Sequence, residues 1–196
     1  MNCPFDDEYQ PLFRALVFTI HQCGLWARCA LEGEDSGEER IRKIKRIIRE
    51  CRYGIHDISR VELDGAHQLP RFNMPLELGL FLGAQEFGDD EQARKQSLVL
   101  DAERYRYQKF CSDIAGQDIR AHEGDPAKLI AAVRAMLSTA LDGEGRIPGP
   151  SAIHKRLAEF DADLPAASRQ MHVGVAELEF AEFRFLMEEW LTANPL

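Results

Sequence analysis

Apolar positions along the chain fall into short blocks whose period changes from one block to the next. "RALVFTI" (14–20) is an unbroken β-branched and aromatic run ending at His21-Gln22, which predicts a buried strand, the first and central one. After the loop "HQCGLWARCALEGEDSGEER", the segment "EERIRKIKRIIRECR" sets Ile41, Ile44, Ile48 and Cys51 at helical spacing, with Asp35 or Ser36 as its cap. "YGIHDIS" (53–59) and "KQSLVLD" (95–101) predict two further strands. Between them "NMPLELGLFLGA" predicts a helix that Asn73 caps and Pro75 opens. "QDIRAH" (117–122) is a fourth, weaker strand, and "DPAKLIAAVRAMLSTAL" an amphipathic helix with Pro in its first turn. Strands alternating with helices predict an α/β fold, a parallel sheet with right-handed crossovers and helices on both faces. "DGEGRIPGP" (142–150) reads as a linker. It divides an α/β domain at 1–141 from a helical C-terminal appendage at 151–196, where Phe160, Phe180, Phe183, Leu186 and Trp190 are the burying positions.

Composition narrows this picture. With 196 residues, 45% of them hydrophobic, the chain is long enough for one main core. A formal charge of −9 argues against nonspecific nucleic-acid binding, which needs an excess of Lys and Arg on one face. The charges of the basic helix are most simply a solvated outer surface. Five cysteines without a Cys-x-x-Cys pair suggest neither a disulfide framework nor zinc, and fit a reducing cytoplasm. His21, His56 and His67 lack metal-ligand spacing, so no metal is assigned. The acidic start and short apolar run of "MNCPFDDEYQPLFRALVFTI" lack the marks of a signal peptide or a membrane span, so no membrane partner is expected.

In an open parallel sheet, ligands collect outside the carboxyl ends of the strands. The segments after the predicted strands bring His21, Arg28, His56, Asp57, Ser59, Arg60, Arg71, Asn73 and Asp101 to that rim. Glu77 lies one turn into the helix that starts there, among Met74, Leu76, Leu78 and Phe81. Its simplest explanation is a helix-terminal carboxylate favoured, in ionised form, by the dipole. The other is chemistry: a carboxylate beside a pocket can stabilise or capture the oxocarbenium-like sugar formed when an N-glycosidic bond breaks. Asp57 is a strand-end turn residue or a ligand-binding one. Ser59 and Arg60 are loop groups or ligand contacts. Arg71 offers a fork for phosphate or pairs with Glu77 or Asp64. Asn73 is a cap or a ribose contact, and Trp26 a candidate for stacking on a base.

"GIHDIS" followed by "PRFNMPLELGLFLG" resembles the TIR-like and nucleoside deoxyribosyltransferase-like superfamily, in particular its nucleotide-binding TIR-like branch. There a strand ending in Asp or Ser leads to an Arg-x-Asn-(Val or Met)-x-x-Glu-Leu-Gly-x-(Phe or Tyr) helix. Arg71, Asn73, Met74, Glu77, Leu78, Gly79 and Phe81 stand in that pattern without a gap. The resemblance spans residues 14–140 in outline, and the tail after residue 147 has no counterpart in it. It implies a flavodoxin-like sheet, a nucleotide ligand and Glu77 as the catalytic carboxylate. The expected function is hydrolysis of NAD or a related nucleotide, with NAD as substrate and no cofactor. Asp57, Ser59, Arg71, Asn73 and Trp26 would bind the substrate. By analogy the role lies in bacterial defence or signalling, with a homo-oligomer as the acting form. The same cleft could instead sense a nucleotide without cleaving it.

Overall fold

The computed structural model describes residues 1–33, 37–61, 63, 72–141 and 147–196. The expected caps Asp35 and Ser36, the site residue Arg71 and most of the predicted linker lie outside the described residues.

Three parallel strands form the sheet in the order β1-β2-β3: β1 is Tyr53–Asp57, β2 Gln96–Asp101 and β3 Arg120–Ala121. Ile55 pairs with Leu98 and Asp57 with Leu100, while Leu100 in turn pairs with Arg120. Asn2 adds an isolated parallel bridge to His56 on the other edge of β1. Six α-helices are seen among the described residues: α1 Gln10–Gln22, α2 Arg40–Glu50, α3 Asn73–Phe87, α4 Pro126–Ala140, α5 Pro150–Gln170 and α6 Phe180–Ala193. None is long and apolar enough to cross a membrane.

The run at 14–20, expected as the central strand, is helical. An unbroken apolar run does not distinguish a buried strand from a buried helix, and the residues before it decide the matter. Asp6 accepts a hydrogen bond from the Tyr9 amide, making a short 3-10 turn, and Pro11 then opens α1. From Leu12 to Ile20 all but Arg14 are buried, because α4, α5 and α6 pack around the helix.

Strand alternation sorts the two faces of the sheet. Ile55, Leu98 and Leu100 join the main core with α1 and α4. Val99 turns the other way, into a smaller cluster with Met74 and Leu78 of α3. Helices thus cover both faces, and α2 lies against α3.

The C-terminal helices are part of the main core rather than an appendage. Ile153, Leu157, Phe160 and Leu164 of α5 and Phe180, Phe183, Leu186 and Met187 of α6 are buried in the cluster that contains α1. The Phe18 ring stacks on Phe160 with centroids 5.7 Å apart, and Phe13 meets Phe180 edge-on at 6.0 Å. Without these helices α1 would expose Phe13 and Phe18. α5 continues through Pro165 to Gln170. An interior proline costs about 3 kcal/mol, and burial of Leu157, Phe160 and Leu164 along the same helix opposes that cost.

Candidate functional site

α3 begins at Asn73, with Phe72 at the cap position and no side-chain cap bond. Asn73 is therefore the first helical residue, exposed, and not the expected cap. Glu77 and Phe81 are four residues apart and share one helix face, which turns toward β1 and α2. Together with Asn2, Ile44, Ile47 and His56 they line a cavity of about 40 Å³. That is room for a water molecule or two, far below a nucleotide.

Glu77 is half-buried, and burial pushes its carboxyl above the ordinary value of 4.5, against the opposing pull of Arg40 and the N-terminal ammonium. Burial therefore opposes the preference for the ionised form that the helix dipole supplies.

His56 is the other polar group of this cavity. Its ring is 3% exposed and meets Phe81 edge-on, with centroids 4.9 Å apart. The Asn2 side-chain nitrogen donates to Met74 O at 2.9 Å and lies 3.2 Å from His56 Nδ1. Because the bond to Met74 fixes that nitrogen as the amide donor, His56 Nδ1 accepts and Nε2 carries the proton. His56 Nε2 is buried and makes no hydrogen bond. Burial, helped by the N-terminal ammonium, lowers this histidine to about 3, so it stays neutral at physiological pH. A Cβ at Gly54 would stand 2.7 Å from both His56 Nε2 and the Phe81 ring, and only glycine lets the three groups meet.

Asp57, one residue on, points to the opposite face. Its carboxylate is 0% exposed. Tyr9 donates its hydroxyl to Oδ2 in a short hydrogen bond, and the Ser59 amide donates to Oδ1 at 2.9 Å. His122 Nε2 stands 3.1 Å from Oδ2 without the alignment of a hydrogen bond, an electrostatic contact. The Gly124 amide donates to His122 Nδ1, which directs the protonated Nε2 toward Asp57. Burial, and then Asp57 itself, raises the Tyr9 phenol well above 10.0. The next strand repeats the arrangement: Asp101 Oδ1 accepts from Arg106 Nε at 2.9 Å, and Arg106 also reaches Ser59 O at 2.5 Å. Burial lifts Asp101 above its ordinary value, opposed by Arg106.

Asp57 and Ser59, expected to bind substrate, therefore tie the start of α1, the end of β1 and the turn before α4 together. Asp57→Ala is expected to cost about 3–5 kcal/mol, since it strands a buried hydroxyl and a buried amide. A urea titration reads this as a large drop in midpoint at unchanged slope. A midpoint within error of wild type would return Asp57 to the list of ligand contacts.

Trp26 is also elsewhere. The Arg184 guanidinium of α6 covers its ring at 4.1 Å, and the His21 ring is 5.5 Å away. These contacts pack it between the loop after α1 and α6, it stays 55% exposed, and it does not line the cavity. Of the residues expected at the rim, Glu77 and His56 are the described ones that line the cavity, and their neighbour Asn2 was not among those expected. Strand parity could have separated His56 from Asp57, but nothing in the sequence points to Asn2.

A larger groove, about 960 Å³, follows the outer edge of β2, which β3 covers only at Leu100 and Asp101. Ala131, Ala132 and Ala135 of α4 form one wall, and Arg104, Tyr105, Arg120 and Lys128 stand around it. Tyr105 is exposed and has φ of 62°, an uncommon conformation for a residue with a side chain. Arg120 pairs with Asp118, and Lys128 with Glu123. Among the described residues no group of three or more His, Cys, Asp or Glu is placed to hold a metal ion.

No known protein family, no curated protein and no solved structure shows significant similarity to this chain.

Proposed function

We propose that this protein is a TIR-like N-glycosidase that hydrolyses NAD or a related nucleotide, with Glu77 facing the sugar carbon at which the glycosidic bond breaks. The observation that carries the reading is the placement of Glu77, a half-buried carboxylate on the helix that bears the Asn-Met-x-x-Glu-Leu-Gly part of the pattern, with Phe81 beside it on the same face. Low polarity around the carboxylate strengthens its attraction for a cationic sugar. The cavity behind it is too small for the nucleotide, so the ribose lies at its mouth and the base and phosphates outside. Asp57 shapes the sheet under this site and does not touch the ligand.

The role requires an ionised Glu77, and burial raises its pKa. The acid limb of kcat/KM is therefore expected above pH 4.5, with activity rising as pH rises through it. The stability contribution has the opposite sign. Between the unfolded and the raised folded pKa the native state binds more protons, so this group favours folding at low pH, and the contribution is lost as pH rises. A limb at or below 4.5 contradicts the assignment.

A second reading is favoured by the groove beside β2. It is large enough for a nucleotide, runs along β2 at Gln96–Leu98, and presents an exposed aromatic ring beside cations. In that reading the chain binds a nucleotide there as a signal and does not cleave it. Nucleotide binding that Tyr105→Ala abolishes and Glu77→Gln leaves unchanged would favour the sensor.

A further inference from the structure

His56 Nε2–H is a buried donor without an acceptor, which costs more than an ordinary hydrogen bond gains. It borders a cavity that has room for a water, and the Glu77 carboxylate of α3 lines the same cavity, beside Cys29, Cys51, Tyr53 and the N-terminal Met1. Asn2 locks the tautomer, Gly54 leaves space for the ring, and Phe81 fixes its plane, so the donor has one direction.

We infer that the cavity holds one water, which accepts from His56 Nε2–H and donates to the Glu77 carboxylate, and that this water is the nucleophile of the hydrolytic step. The inference rests on the N-glycosidase reading and deepens it, because it makes the enzyme a hydrolase rather than a base-exchanging transferase. The glycosidic C–N bond breaks with its electron pair moving to the pyridinium nitrogen, which leaves as a neutral base. The remaining lone pair of the water forms the new C–O bond to the sugar carbon, and its proton passes to the Glu77 carboxylate and then to solvent. Water, nucleotide and protein balance without any further reactant. His56 acts through the water, as a positioning residue.

Two measurements test this. The first is a high-resolution crystal structure of the wild-type chain, where a water within hydrogen-bond distance of both His56 Nε2 and a Glu77 oxygen is expected. An empty cavity, or a direct His56–Glu77 bond, overturns the proposal whatever the activity. The second is partitioning between hydrolysis and base exchange in NAD with an added substituted pyridine. His56→Phe keeps the ring against Phe81 and removes the donor, and should lower hydrolysis relative to exchange about tenfold, the worth of one positioning hydrogen bond. His56→Gln, whose amide nitrogen can replace Nε2, should restore the ratio. Equal loss of both reactions in His56→Phe would show a structural role only and overturn the nucleophile assignment. A wild type that neither hydrolyses nor exchanges removes the N-glycosidase reading and the nucleophile with it, and the crystallographic water then decides separately whether the site exists.

Discussion

A chain ending at Leu141 is expected not to fold cooperatively. Residues beyond it contribute Ile153, Leu157, Phe160, Leu164, Phe180, Phe183, Leu186 and Met187 to the main core, each at most 7% exposed. Burying one such side chain is worth about 1.5–3 kcal/mol, so together they are comparable to the whole net stability of a domain, about 5–15 kcal/mol. Removing them also uncovers α1, where Leu16, Val17 and Phe18 are fully buried. Far-UV circular dichroism across a urea titration of the truncated chain should show no sigmoidal transition. A cooperative transition close to that of the full chain would mean that the C-terminal helices are the independent appendage their sequence suggests.

Glu77→Gln should lower NAD cleavage by about 10²–10³, the usual loss when one group facing the developing charge is removed. Its fold should survive, with stability within about 1 kcal/mol of wild type, because the replacement keeps the shape and removes a charge that burial disfavours. The pairing of these two results matters. Loss of activity together with a collapse of stability would report a packing role. An activity close to wild type would leave Glu77 as a helix-terminal carboxylate and nothing more.

The sheet was legible where short apolar runs stand between turn residues, as at "YGIHDIS" and "QSLVLD", because such runs have room for little else. The helix at 10–22 was not, since its signal, Asp6 followed by Pro11, precedes the apolar block and was outweighed by it. The C-terminal helices were found, but the Gly and Pro residues at 142–150 suggested separation, and composition cannot show that Phe160 meets Phe18. At the site, grouping residues by their place at the strand ends joined Asp57 to Glu77. The pleat separates them: Asp57 follows Ile55 into the main core, and His56 faces α3. Asn2 is 54 residues from His56 along the chain and 72 from Met74, so its bridging position comes from the folded chain alone.

The most direct measurement is product analysis by mass spectrometry of NAD incubated with the purified full chain at high concentration, beside Glu77→Gln. Stoichiometric nicotinamide and ADP-ribose from the wild type, and neither from the folded variant, is the predicted result. Equal release by both, or NAD bound and recovered intact by both, would contradict the assignment of Glu77 as the group that carries the chemistry.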